Sequence, residues 1–232
     1  MRASLRALPR LFVPDASPEG PIELPKEEID KLRKVLRLSA GAEIAVLPND
    51  GTLIRCQFQN REAIPLEVIH PNTESPLRLT VAQALPKGDK LDEIVRACTE
   101  LGVAHFILFP SERTIVRWDE KKKIDRVHRL ATIAREAAEV SFRAVLPTFS
   151  LADDLAAVLQ AKPDSVVLSE VEGLSPKLVP VPGEMTIVVG PEGGWAQREL
   201  ALIGDRGVTL GPRVLRVDHA APAAAALLLL DR

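Results

Sequence analysis

From Leu77 to Leu230 the chain alternates apolar runs of strand length with segments of helical period, and few folds accept that order. "LRLTVAQAL" reads as a strand, "KLDEIVRACTELG" as a helix closed by Gly102, and "HFILFP" as a strand again. A long helix follows over about residues 120–140, then "SVVLSE", "MTIVVG" and "GVTLG" supply further buried strands, and the Ala-rich end closes as a helix. Strands separated by helices cannot pair through tight hairpins, so they cross over and lie parallel with helices on their faces. The expectation is an α/β domain with a parallel sheet.

Within that domain "MTIVVGPEGGWAQREL", Met185 to Leu200, is a buried strand, a tight turn and a helix that looks to begin near Trp195. Open α/β sheets bind ligands at the carboxyl ends of their strands, where this turn lies. It lacks the Gly-Lys-Ser/Thr ending of a phosphate-binding Walker loop and the glycine spacing of a dinucleotide fold. Taken alone, the Gly-Pro-Glu-Gly-Gly loop reads equally well as a turn without a ligand.

Before Leu77 the pattern differs. "AEIAVLPNDGTLIRCQF" places Asp50-Gly51 between two apolar runs, a hairpin signal, and the segment reads as a small β-barrel around one helix. "HPNTESP", His70 to Pro76, is polar and holds two prolines, as a linker would. We therefore expect two domains, residues 1–72 and 73–232.

With 46% apolar residues the 232-residue chain has ample material for a core. Its longest apolar run, "AAPAAAALLLL", is too short to span a bilayer, and "MRASLRALPRLFVP" lacks a signal-peptide core, so no membrane association and a cytoplasmic location are expected. Cys56 and Cys98, with four scattered histidines, suggest neither a disulfide framework nor a metal site. Lys plus Arg against Asp plus Glu number 10 and 11 over residues 1–76, 13 and 10 over 77–143, and 7 and 11 over 144–232, giving nets of −1, +3 and −4. That balance excludes a protein that coats nucleic acid indiscriminately but leaves room for local basic strips. One such strip lies in "EEIDKLRKVLRL", where a helix would bury Ile29, Leu32, Val35 and Leu36 and expose Arg33, Lys34 and Arg37. The strip reads equally as a solvated helix face.

Six segments, "RLFVP", "KVLRL", "ALPKGDKLDEIVRACTELGV", "EVSFRAVLP", "VVGPEGG" and "LGPRVLR", carry a family resemblance. In that order and spacing the chain resembles the bacterial 16S ribosomal RNA (uracil-N3)-methyltransferases of the RsmE type, within the knotted SPOUT class. The resemblance implies an N-terminal PUA-like β-barrel for RNA, a C-terminal trefoil-knot domain that binds S-adenosyl-L-methionine, and a homodimer formed through the knotted domain. It implies 16S rRNA of the small ribosomal subunit as the partner. Other reactions of the same class, such as 2′-O-ribose methylation of rRNA or tRNA, and a role as a non-catalytic assembly factor are the alternatives.

By the same resemblance the donor loops are Gly190, Pro191, Glu192, Gly193 and Gly194, then Leu210, Gly211, Leu215 and Arg216, with Leu168 and Glu170 as a third. Arg10, Lys31, Arg33, Lys34 and Arg37 would face RNA. Arg143 would stabilise the uracil anion or orient the nucleotide, with Glu139 as its positioning partner, although at this spacing the two also read as an ordinary i,i+4 helix pair. The chain departs from the family pattern at Val140, where glutamine is common, and at Asp218-His219, where Glu-Thr is common. Asp218 is expected to accept a hydrogen bond or cap the last helix, and His219 to be solvated at its start.

Overall fold

The structure, a computed structural model, describes residues 4–169 and 175–230. It divides into two compact units, Met1–Glu74 with Ala138–Leu146, and Ser75–Ala137 with Pro147–Arg232. The nine residues 138–146 thus group with the N-terminal segment rather than with the chain on either side of them.

The first unit is a curled five-stranded half-barrel. Its strands are β1 (Arg10–Phe12), β2 (Ile22–Glu23), β3 (Glu43–Leu47), β4 (Leu53–Gln59) and β5 (Glu62–Ile69), in the order β1-β3-β4-β5-β2. Asn49 and Gly51 take φ of 74° and 93°, and Asp50 accepts from the Thr52 amide at 2.8 Å, so the expected hairpin between β3 and β4 forms. Period-two alternation sends Ile44, Val46, Ile54 and Cys56 to one apolar cluster and Ala45, Leu47 and Leu53 to another, which also takes Ala138.

The helix of the basic strip differs from expectation. Regular helix covers only α1 (Lys26–Asp30), and Lys31–Val35 continue as a π-turn. The wider turn breaks the 3.6-residue period. Leu32 is buried, but Val35 and Leu36 are 71% and 42% exposed, against the single apolar face expected. Arg37 ends the segment at φ 54°.

The second unit is a six-stranded sheet, all parallel. Its strands are β6 (Arg78–Ala84), β7 (His105–Phe109), β8 (Thr148–Leu151), β9 (Val166–Leu168), β10 (Glu184–Val189) and β11 (Gly207–Val208), in the order β11-β9-β10-β6-β7-β8. One face packs Leu79, Val81, Phe106, Leu108 and Ile187 under helices α2 (Lys90–Glu100), α3 (Glu120–Val140) and α6 (Val217–Leu229). The other packs Ala82, Ile107, Phe109 and Val188 under α4 (Leu155–Ala161) and α5 (Gln197–Ile203). The central strands β6, β7 and β10 are buried on both sides along nearly their whole length, which explains their apolar runs. The sequence direction reverses between β6 and β10, the kind of switch point beside which such sheets hold ligands.

Phe106 is fully buried and stacks on Phe149 with centroids 5.1 Å apart. Phe106→Ala is expected to cost about 3–5 kcal/mol of unfolding free energy, measured by denaturant titration.

Candidate functional site

A cavity of about 670 Å³ opens at the carboxyl ends of the adjacent strands β11, β9 and β10. Leu168 and Ser169 line it after β9, Gly190 to Glu192 and Gly194 after β10, and Leu210, Leu215 and Arg216 after β11. Val189, Val217 and Ala220 add apolar wall. The lining is mostly aliphatic side chain with exposed backbone, the usual make-up of a small-molecule site. Glu170 lies outside the described residues.

The glycines serve different ends. A Cβ on Gly190 would sit 3.0 Å from the Trp195 ring, so this glycine lets the indole pack against the strand end. Trp195 is buried, stacks on Phe109, and donates through Nε1 to the Leu168 carbonyl at 3.2 Å, tying the β10 loop to β9. Gly194, at φ 67°, and Gly211, at φ 136°, occupy conformations that a side chain would strain. Gly193 does not line the cavity, but its carbonyl accepts from Arg113 Nη1 at 2.7 Å.

Three cations line the cavity. Lys90 is 2.7 Å from Glu192, and Arg216 Nε is 3.2 Å from Asp218. Burial alone would raise the Glu192 carboxyl, but hydrogen bonds from Lys90 and backbone amides, with the charge of Lys90, hold it below its ordinary value. The third cation, Arg113, has no carboxylate within ion-pair distance among the described residues. His219 is exposed at the start of α6.

Arg143 and Glu139 belong to the first unit. Arg143 is 5% exposed and donates through Nη2 to Glu74 at 2.7 Å, while the same carboxylate accepts from the Ala144 amide at 2.9 Å. Glu139 ion-pairs with Lys31 and accepts from the Phe12 amide. Arg10 donates to the Glu139 and Val140 carbonyls and lies 5.0 Å over the Phe142 ring; burial lowers its pKa, partly offset by Glu139. Of the residues expected to face RNA, Arg10 and Lys31 are thus engaged inside the unit. Arg33, Lys34 and Arg37 stay exposed, Arg33 donating to the Asn60 carbonyl at 2.7 Å and Lys34 pairing with Asp30 at 3.1 Å. Both cysteines are buried, and burial pushes the Cys56 thiol up to about 12, so neither offers a thiolate.

A domain family described as an RNA methyltransferase domain matches residues 73–229. The chain belongs to that family. It is 33% identical to Ribosomal RNA small subunit methyltransferase E of Bacillus subtilis over 84% of each chain. It is 34% identical to the protein of the same name from Synechocystis, over 94% of this chain and 76% of that one. Among solved structures, Ribosomal RNA small subunit methyltransferase E from Neisseria gonorrhoeae bound to S-adenosyl methionine aligns at a TM-score of 0.84 with 28% identity, covering 94% of this chain and 96% of that one. A methyltransferase from Legionella pneumophila in complex with SAM aligns at 0.85 with 26% identity, over 94% of this chain and 96% of that one. The α/β fold class expected from the sequence is the one found.

Around the cavity of this RNA methyltransferase, sequence reasoning missed Lys90, Arg113, Trp195 and Glu199. Glu199 is the clearest loss, because it sits three residues after Ala196, where a carboxylate folds back on a helix start. It also missed Glu74, hidden in a segment whose prolines and polarity read as linker. Arg143→Ala leaves the Glu74 carboxylate without its guanidinium and is expected to cost about 1–3 kcal/mol of stability. A denaturant midpoint that does not move would deny the pair a structural duty.

Proposed function

We propose that the protein transfers a methyl group from S-adenosyl-L-methionine to ring nitrogen N3 of a uridine in 16S rRNA of the small ribosomal subunit, acting in the cytoplasm as a homodimer. The observation that carries this reading is the cavity at the carboxyl ends of β9, β10 and β11, floored by glycine-bearing loops. Its volume and lining fit an adenosine with an attached amino acid: aliphatic walls from Leu210, Leu215 and Val217, and Ser169 and Thr209 at its polar side. The donor supplies an electrophilic methyl on a sulfonium. Membership of the RNA methyltransferase family and the names of the relatives support the ribosomal substrate. No helix among the described residues is long and apolar enough to cross a membrane. Leu227 and Leu230, 49% and 65% exposed at the end of α6, are the apolar surface we assign to the second copy.

The chain's own residues must do two things to the base. N3 lies on the Watson–Crick edge, so the uridine has to be splayed out of any pairing. N3 also carries a proton and becomes nucleophilic once that proton leaves, so the resulting anion needs positive charge held nearby. Arg143 and Glu139 are the residues the resemblance brings forward for handling the nucleotide. In the first unit Arg33, Lys34 and Arg37 are the exposed cations for RNA phosphates.

Ribosomal RNA or small subunits incubated with the protein and labelled donor should yield labelled 3-methyluridine on nucleoside mass spectrometry. A 2′-O-methylated nucleoside would move the activity within the class, and no label would end the reading. Gly194→Val, which strains a residue at φ 67°, is expected to abolish donor binding by calorimetry while circular dichroism stays unchanged. Arg33→Glu with Arg37→Glu should weaken RNA binding and flatten its dependence on salt, with donor affinity unchanged.

A further inference from the structure

Arg113 stands apart from the other cations of the cavity. Lys90 and Arg216 already face carboxylates, Glu192 at 2.7 Å and Asp218 at 3.2 Å. Among the described residues Arg113 is tethered by a neutral group, the Gly193 carbonyl, and no carboxylate there offsets its charge. Its stem runs beside the donor loop, where a Cβ on Gly193 would meet Arg113 Cβ at 3.4 Å and Cδ at 3.6 Å.

The loop that carries Arg113 is held by buried hydrogen bonds. It follows β7, and Ser111 and Thr114, each 4% exposed, close it: the Ser111 amide donates to Thr114 Oγ1 at 2.9 Å, and the Thr114 amide to the Ser111 carbonyl at 3.0 Å. Glu199, also 4% exposed, accepts the Glu112 amide at 3.0 Å on one oxygen and the Ala196 amide at 2.9 Å on the other. One carboxylate therefore fixes the Arg113 loop to the turn after β10. A guanidinium positioned in advance beside a methyl-donor cavity stabilises developing negative charge without reorganising when the charge appears.

We propose that Arg113 is a catalytic residue, its guanidinium meeting the target uracil and stabilising the negative charge spread over O2, N3 and O4 when the N3 proton leaves. The proposal rests on the uracil-N3 reading given above. The N3 proton passes to solvent water, the N3 electron pair forms the new N–CH3 bond, and the electrons of the S–CH3 bond return to sulfur, giving the neutral thioether. Arg113 suits this duty better than Arg143, whose guanidinium is buried against Glu74.

The test is single-turnover methylation of small ribosomal subunits, at saturating donor and protein, as a function of pH. Arg113→Gln is the decisive variant, since its amide can still donate to the Gly193 carbonyl while the charge is gone. It should lower the neutral-pH rate by roughly 10²–10³-fold and move the rise of rate with pH to higher pH, because the uncompensated base ionises less readily. Arg113→Lys should restore part of the rate, as a point charge without the guanidinium fork. Calorimetric donor affinity should stay near wild type in both. If Arg113→Gln keeps the wild-type saturated rate and pH profile and only weakens subunit binding, Arg113 is a phosphate clamp and the proposal is wrong. If wild-type protein forms no 3-methyluridine, the underlying reading fails together with the proposal; a normal wild-type product with an unaffected variant sinks the proposal alone.

Discussion

The carboxylate of Glu199 is the point on which the geometry of the cavity depends. It is buried, and both its oxygens accept backbone amides, one from the loop after β7 and one from the turn after β10. Loops at the ends of parallel strands carry few ladder bonds of their own, so their mutual placement has to come from side chains. Glu199 supplies it on one side of the β10 turn, and the Trp195 indole, reaching the Leu168 carbonyl, supplies it on the other. Held by these anchors, Gly190 to Glu192 and Gly194 line the cavity, while the Gly193 carbonyl accepts from Arg113 and the Gly194 amide donates to the Pro191 carbonyl. Gly190 serves this arrangement indirectly, because what it accommodates is the indole ring.

The first unit spends much of its charge internally. Glu74 with Arg143, and Glu139 with Lys31 and the Phe12 amide, knit residues 138–146 to the segment after β5, to the π-turn and to β1. An ion pair of this kind adds little net stability over an apolar pair, but removing one partner is expensive. The same residues that resemblance marks for nucleotide handling therefore have a packing duty, and loss of activity in their variants must be judged against loss of fold. Arg33, Lys34 and Arg37, beside exposed Val35 and Leu36, are exposed, although Arg33 donates to the Asn60 carbonyl and Lys34 pairs with Asp30.

Much of the second unit was legible because β6, β7 and β10 are buried on both faces and α2, α3 and α6 are long. The runs at Leu77, His105 and Met185 could only be central strands, and α2 ends at Gly102 with φ 104° as its sequence suggests. The glycine loop was legible as a turn, but its division of labour was not, since Trp195 packing on Gly190 is a tertiary contact. Hydropathy cannot announce a π-turn, so the single helical face expected through Leu36 breaks after Asp30, and Val35 faces solvent. Arg113 gave no signal: an arginine in a polar loop is unremarkable until the fold sets it beside Gly193. The short β8 and α4, 4 and 7 residues long, are too brief to show a period in the sequence.

The central claim is that backbone at the ends of β10 and β11 holds the methyl donor. Hydrogen exchange read by mass spectrometry, with and without saturating S-adenosyl-L-methionine, tests it directly. The account predicts slowed exchange concentrated in peptides covering Gly190–Gly194 and Leu210–Arg216, with the strands of the first unit unchanged. Donor-induced protection confined to other segments, or none at saturating donor, would contradict it.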